Sequence, residues 1–149
     1  MKFDTVVYGC DGVALRAATD ALRQGGTCAL VRRGLPLEKI DYSGFVTAGG
    51  LVFHAGAEVT ADKYVLATGR FFSGGLVADM EKVYEPVFGL DLDFPGDRSL
   101  WFDPDFNADQ PFTRFGVIAD ADGHPSIGGV RQDNITVIGD ILRYADRKQ

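Results

Sequence analysis

Phe3-Asp4-Thr5-Val6-Val7-Tyr8-Gly9-Cys10-Asp11-Gly12-Val13-Ala14 opens the chain and decides how it folds. β-Branched and aromatic residues crowd positions 3–8 and stop at Gly9 and Gly12, the pattern of a buried strand meeting a tight turn. Beyond it, Val13, Ala14, Ala17, Ala21 and Leu22 fall on one helical face, and Arg16, Thr19, Asp20, Arg23 and Gln24 on the other. Gly25-Gly26 stops this helix, and residues 27–31 are a second apolar strand. Strand, turn, helix and strand within the first 33 residues make one βαβ unit, parallel and right-handed by the general rule.

Working outward, residues 32–45 carry Gly34, Pro36 and Gly44 without a clear period and read as a connector. Residues 51–54 and 57–60 are expected to be two short strands joined around Ala55-Gly56, a hairpin laid across the sheet. Lys63-Tyr64-Val65-Leu66-Ala67-Thr68-Gly69 is an apolar strand running into a glycine turn, a further central strand. Residues 70–113, punctuated by Gly74-Gly75 and by prolines at 86, 95, 104 and 111, read as irregular cover with a strand or two, with extended alternation over 82–92. Residues 115–119 suggest a short strand before the Asp122-Gly123 turn. Residues 134–138 form a buried strand ending in Gly139-Asp140, and a short helix over 140–148 is expected to close the chain.

At 149 residues and 46% hydrophobic content the sequence suits a single α/β domain over residues 1–149. Its net charge of −6 argues against nucleic acid as a partner, the one basic cluster being Arg143, Arg147 and Lys148. No apolar run approaches the roughly 20 residues that span a bilayer, and Met1-Lys2-Phe3-Asp4 begins a strand rather than a signal peptide, so the expectation is a cytoplasmic protein without a transmembrane segment. Cys10 and Cys28 form neither a CxxC pair nor a disulfide framework and read as buried thiols.

A strand, glycines and then a helix present free helix N–H groups to a pyrophosphate. Against the pattern G-x-G-x-x-G/A, Gly9 fills the first position, Ala14 the third, and Asp11 the middle one. A carboxylate there blocks close approach and repels phosphate by about 4 kcal/mol at ~4 Å and an effective dielectric of ~20, roughly a thousandfold in affinity. Alternatively Asp11 caps the helix, putting its own carboxylate where the phosphate would lie, for about 1 kcal/mol. Gly12 can shift the turn by one residue and reopen the site. After the second strand, where an acidic residue commonly holds the ribose, stand Arg32 and Arg33: either an arginine site for a 2′-phosphate or a solvated strand end.

The βαβ unit, the Ala67-Thr68-Gly69 turn and the late Ile138-Gly139-Asp140 occur in the order found in flavoproteins with two dinucleotide-binding domains. The blocks Tyr64-Val65-Leu66-Ala67-Thr68-Gly69-Arg70-Phe71-Phe72-Ser73-Gly74-Gly75-Leu76, Glu85-Pro86-Val87-Phe88-Gly89-Leu90-Asp91 and Phe115-Gly116-Val117 resemble the family of B-type subunits of anaerobic glycerol-3-phosphate dehydrogenase. The resemblance implies a Rossmann-like FAD/NAD(P)-binding domain, a parallel central sheet with a small β-hairpin crossover. It also implies FAD or FMN as cofactor, oxidation of glycerol 3-phosphate to dihydroxyacetone phosphate, and electrons passed towards quinone. Other subunits of a dehydrogenase complex, or further copies in a homo-oligomer, would be the partners, with attachment at the inner membrane through them. Carried over to this sequence, Gly9, Gly12 and Ala14 line the pyrophosphate turn, Ala67, Thr68 and Gly69 lie under the cofactor, and Gly139 and Asp140 lie by the ribityl chain, where a carboxylate accepts hydroxyl hydrogen bonds. Asp11 and Arg32 complete the set, and no catalytic acid or base can be named. Relatives of this kind are longer between the second strand and the hairpin and after Asp140, so the expectation is a reduced relative or a trimmed cofactor domain.

Asp103, Asp105, Asn107 and Asp109 have calcium-loop alternation, but Ala108 and Arg114 stand where the loop needs glycine and glutamate, which favours an acidic surface loop. His54 and His124 have no partners at ligand spacing, so no metal is expected. Trp101, Phe102, Phe106 and Phe112 read as cover over the core or as a docking surface. Two functions stay open: a flavin-dependent oxidoreductase subunit, or a cofactor-free scaffold in which Asp11 fills the phosphate site.

Overall fold

A computed structural model describes residues 2–9, 11–33, 40–47, 50–54 and 60–147; of residues 2, 32, 33, 40–47, 50–54 and 60 it describes the backbone. Strand β1 (Lys2–Tyr8) pairs in parallel with β2 (Cys28–Arg33) on one side and β5 (Thr60–Leu66) on the other. β3 (Ile40–Thr47) and β4 (Gly50–His54) add antiparallel beyond β2, and β12 (Ile135–Val137) adds parallel beyond β5. The sheet therefore runs β12-β5-β1-β2-β3-β4. Its parallel strands are buried on both faces, as crossover-built sheets require. Val7, Cys28 and Leu30 point to one side and Val6, Ala29 and Val31 to the other, the period of two that a strand imposes.

Helix α1 (Gly12–Arg23) covers the first face. Asp11 caps it, and Gln24 and Gly25 end it, Gly25 with φ +86°. The helix buries Ala14 and Ala18, whose single methyls let its axis lie close to the strands. Val13, expected on the buried face, is 41% exposed, because the stripe is centred on Ala14, Ala18 and their neighbours.

The second face is covered by residues 70–147, which pack through short ladders rather than long elements. β6 (Val77–Ala78) pairs with β7 (Val83–Tyr84), β8 (Leu92–Asp93) with β9 (Gly116–Val117), and β10 (Ser126–Ile127) with β11 (Val130–Arg131). Leu66, Leu76, Val117, Val137 and Ile141 fill the core beneath them. Phe88 sets its ring edge-on to Tyr8 and Tyr64, at centroid distances of 5.3 and 5.6 Å, and so joins this layer to the sheet. Glu85, 1% exposed, holds the segment in place: its carboxylate accepts from the N–H groups of Val87, Phe88 (2.9 Å) and Leu90 (3.2 Å). Burial, then Tyr64 and Glu85, push the Tyr8 hydroxyl above its usual value.

Several expectations are corrected. The segment read as a connector contains most of β3, and β4 pairs with β3; Thr60 begins β5, and the Ala55-Gly56 turn and residues 57–59 of the expected second strand lie outside the described residues. The hairpin extends the sheet edge instead of lying across it. The extended run over 82–92 is broken by the turn that Glu85 organises. No α-helix follows Asp140 among the described residues; Gly139–Ile141 and Tyr144–Asp146 are 3₁₀ turns, separated because Leu142 and Arg143 are extended, where Arg143 N–H donates to Val117 O at 3.0 Å. Of the four aromatics, Trp101 is core, whereas Phe102, Phe106 and Phe112 are exposed. Cys28 is fully buried, and Cys10 lies outside the described residues.

Removing the Glu85 carboxylate strands three donors, so Glu85→Ala is expected to cost about 3–5 kcal/mol in urea unfolding, and Glu85→Gln, which keeps one acceptor oxygen, distinctly less. Burial also pushes the Cys28 thiol from 9.0 up to about 11. The unfolded chain releases this proton first, so the thiol's contribution to stability is lost as pH climbs through that window. Peptide mapping after alkylation at pH 8 should find Cys28 unmodified in the folded protein and modified in denaturant.

Candidate functional site

The carboxyl ends of β12, β5, β1 and β2 meet in one row. Gly9 N–H donates to Val31 O (2.9 Å), Ala67 N–H to Tyr8 O (2.8 Å) and Ile138 N–H to Leu66 O (3.0 Å), carrying strand-like pairing one residue past each strand. In open parallel sheets this edge is where ligands bind. Gly9 shows why the row is tight: a Cβ on it would collide with Ala67 O and come within 2.8 Å of Ala14 Cβ, and its φ of +151° is one that L side chains rarely adopt. Gly9, Ala14 and Ala67 are thus brought together as the sequence implied.

At the head of α1, Leu15 N–H donates to Asp11 O and Ala14 N–H to Asp11 Oδ1, both at 3.0 Å. The N–H groups of Gly12 and Val13 have no acceptor within the helix and none among the described residues. Apart from its chain neighbours and the helix's own backbone, no described residue lies within 4 Å of where a Gly12 Cβ would stand. Gly139, with φ +83°, faces the same turn, its would-be Cβ 3.5 Å from Val13 Cγ1. The turn offers a phosphate a positive helix end, the N–H groups of Gly12 and Val13, and three glycines without side chains. The exposed Asp11 carboxylate already holds the third donor.

The Ala67-Thr68-Gly69 turn borders the row. Ser73 donates its hydroxyl to Thr68 O, and the N–H groups of Gly75 and Leu76 donate to Arg70 O. Thr68 Oγ1 is buried and has no hydrogen-bond partner among the described residues, a polar atom turned away from water. Arg70, which sequence reasoning passed over, ties the turn to the rest of the edge. It donates to Asp140 O at 2.9 Å and to Phe112 O, joining three segments distant in the chain. Burial, then the neighbouring Arg147, lower its pKa, while Asp140 opposes the shift; the guanidinium stays charged. Arg147 donates to Leu142 O and Thr113 O, each at 2.9 Å, and Arg143 pairs with Asp146 at 2.7 Å, so these two arginines of the basic cluster serve packing, while Lys148 lies outside the described residues.

Asp140 is exposed, and Arg70 holds its carbonyl. Arg32 lies at the end of β2 opposite Tyr42, and its side chain is outside the described set. A cavity of about 220 Å³ beside Gly139 and Asp140 is lined also by Thr136, Asp120 and Asp146. Another, of about 510 Å³, lies under Phe71, Trp101, Phe112 and Phe115, away from the phosphate turn. In the acidic loop, Asp103 and Asp105 accept from the N–H groups of Asp105 and Asn107, their carboxylates serving the loop's own backbone. His124 Nδ1 lies 2.7 Å from Ile135 O. No described helix is long and apolar enough to cross a membrane.

Comparison with known proteins agrees with this geometry. The B-type subunit of anaerobic glycerol-3-phosphate dehydrogenase from Pectobacterium atrosepticum is 43% identical over 93 residues, covering 62% of this chain and 22% of the relative. Its counterparts from Vibrio cholerae and Yersinia enterocolitica are 44% and 43% identical over 90 and 96 residues, covering 59% and 64% of this chain and 21% and 23% of theirs. The aligned part thus spans about a fifth of the length of these relatives. No solved structure matches the chain. The profile of a family described as an FAD binding domain matches residues 4–142, nearly the whole sequence, and the chain belongs to that family.

Proposed function

We propose that this chain is the flavin-holding part of a dehydrogenase that oxidises glycerol 3-phosphate, working beside other subunits. The observation that carries the reading is the identity of 43% over 93 residues with a protein named as a subunit of that enzyme. The family supplies FAD as the cofactor, which when bound provides a two-electron acceptor for a secondary alcohol. The chain's own residues bind and orient. Gly12 and Val13 offer N–H groups to a phosphate oxygen, and Gly9 and Gly139 keep side chains out of its way. The Asp140 carboxylate accepts from a ribityl hydroxyl, and Arg70 fixes the backbone from which it projects. Subunit partners and attachment at a membrane through them belong to the same proposal.

One observation favours a second reading, a framework that keeps the fold without a flavin: Asp11 Oδ1 already occupies the Ala14 N–H. Titration of cofactor-stripped protein with FAD separates the two. Micromolar binding, followed by reduction of the bound flavin on adding glycerol 3-phosphate with the partner subunits, is the expected result; a well-folded protein that takes up no FAD would sink the first reading. Asp140→Ala should weaken FAD at least about tenfold, a loss of about 1.4 kcal/mol, with the melting temperature unchanged because the carboxylate is exposed. An unaltered Kd would show that the ribityl chain lies elsewhere.

A further inference from the structure

Asp11 is exposed and sits at the one position of the turn where a side chain and a phosphate compete for the same donor. Its carboxylate occupies the Ala14 N–H at 3.0 Å, while the N–H groups of Gly12 and Val13 have no acceptor among the described residues. A glycine in this place would leave three donors and no charge. The turn is therefore neither a closed cap nor a full phosphate cradle. Its residual donors attract an anion, and its fixed negative charge repels the same anion over a few ångströms. Ala67, Thr68, Gly69 and Gly139 add no charge to the rest of the site, and its exposed carboxylate, Asp140, stands where the ribityl hydroxyls rather than the phosphates are proposed to lie.

Resting on the FAD reading, we propose that Asp11 is a specificity-determining residue that strips the phosphates of their usual contribution to affinity. Binding then depends on the isoalloxazine and ribityl end of the ligand, FAD and riboflavin bind with similar strength, and the cofactor exchanges with solution. The unliganded domain stays folded because the helix end supplies its own anion.

Asp11→Asn tests this without disturbing the fold, since asparagine caps a helix about as well as aspartate and keeps an oxygen for the Ala14 N–H. Titrations of the parent and variant with FAD, riboflavin and inorganic pyrophosphate, read by flavin fluorescence and by thermal shift, give three independent arms. The expected result is a parent that binds FAD within about tenfold of riboflavin, and a variant that gains at least about tenfold for FAD with riboflavin unchanged. Pyrophosphate should raise the melting temperature of the variant more than that of the parent. A variant that tightens both flavins alike, or neither, overturns the proposal. Should no flavin bind to either protein, the FAD reading fails, and pyrophosphate alone decides: a gain in the variant upholds the role of Asp11, and no gain overturns it.

Discussion

The missing side chain at Gly9 is the constraint on which the molecule turns. Its Cα faces the Ala67 carbonyl on one side and the Ala14 methyl on the other, with no room for a carbon between them. Three elements, β1, α1 and β5, can approach to this distance only at a residue without a Cβ, and Ala14 and Ala18 continue the same economy of volume along the helix. The closeness brings the head of α1 level with the ends of the strands. A looser packing would leave the helix dipole and its free N–H groups pointing at solvent rather than across the sheet edge, where Gly139 and Asp140 arrive from β12.

The other face of the sheet solves a different problem. Residues 70–147 have little regular structure, and irregular chain carries many backbone groups that must find partners once water is excluded. Buried or half-buried polar side chains supply them. Glu85 gathers three N–H groups, Arg70 reaches two carbonyls, and Arg147 two more. Phe88 then seats the Glu85 turn against Tyr8 and Tyr64. Polar chemistry here takes the part that helices and long strands take in more regular domains, and by way of Arg70 it also sets the position of Asp140.

The sequence showed the βαβ unit plainly, because Gly9, Gly12 and Gly25-Gly26 punctuate it and its apolar periods are clean. It also showed β5 and β12, and it offered the helix cap as one of two readings of Asp11, which the bond to the Ala14 N–H bears out. β3 was hidden because the alternation begun by Ile40-Asp41-Tyr42-Ser43 is cut short at Gly44-Phe45-Val46, so its pairing with β2 cannot be seen from within the segment. The expected last helix failed for a long-range reason: Leu142 and Arg143 are drawn out along Val117, which lies 25 and 26 positions back. Glu85 and Arg70 were illegible as organisers because charged residues read locally as surface, and their burial comes from chain that packs over them later. At the candidate site, Gly9 and Gly139 stand at the strand ends and the head of α1, but the sequence could not show how Asp11 divides the helix N–H groups between itself and a ligand.

Synthesis order gives the β12 pairing a cost. β12 completes the sheet against β5, and its Ile135 and Val137, with Ile141 and Leu142, close the core begun by Leu66 and Leu76. Among the described residues no earlier segment substitutes for these. While residues 70–130 leave the ribosome, β5 therefore carries one unpaired edge, and the apolar face that starts at Leu66 has no lid. Contacts this far apart in the chain form slowly and late, and an open parallel edge invites pairing with neighbouring nascent chains. The domain is thus completed only once Leu142 has emerged, and its yield in a cell should depend on chaperone capacity more than its finished stability would suggest.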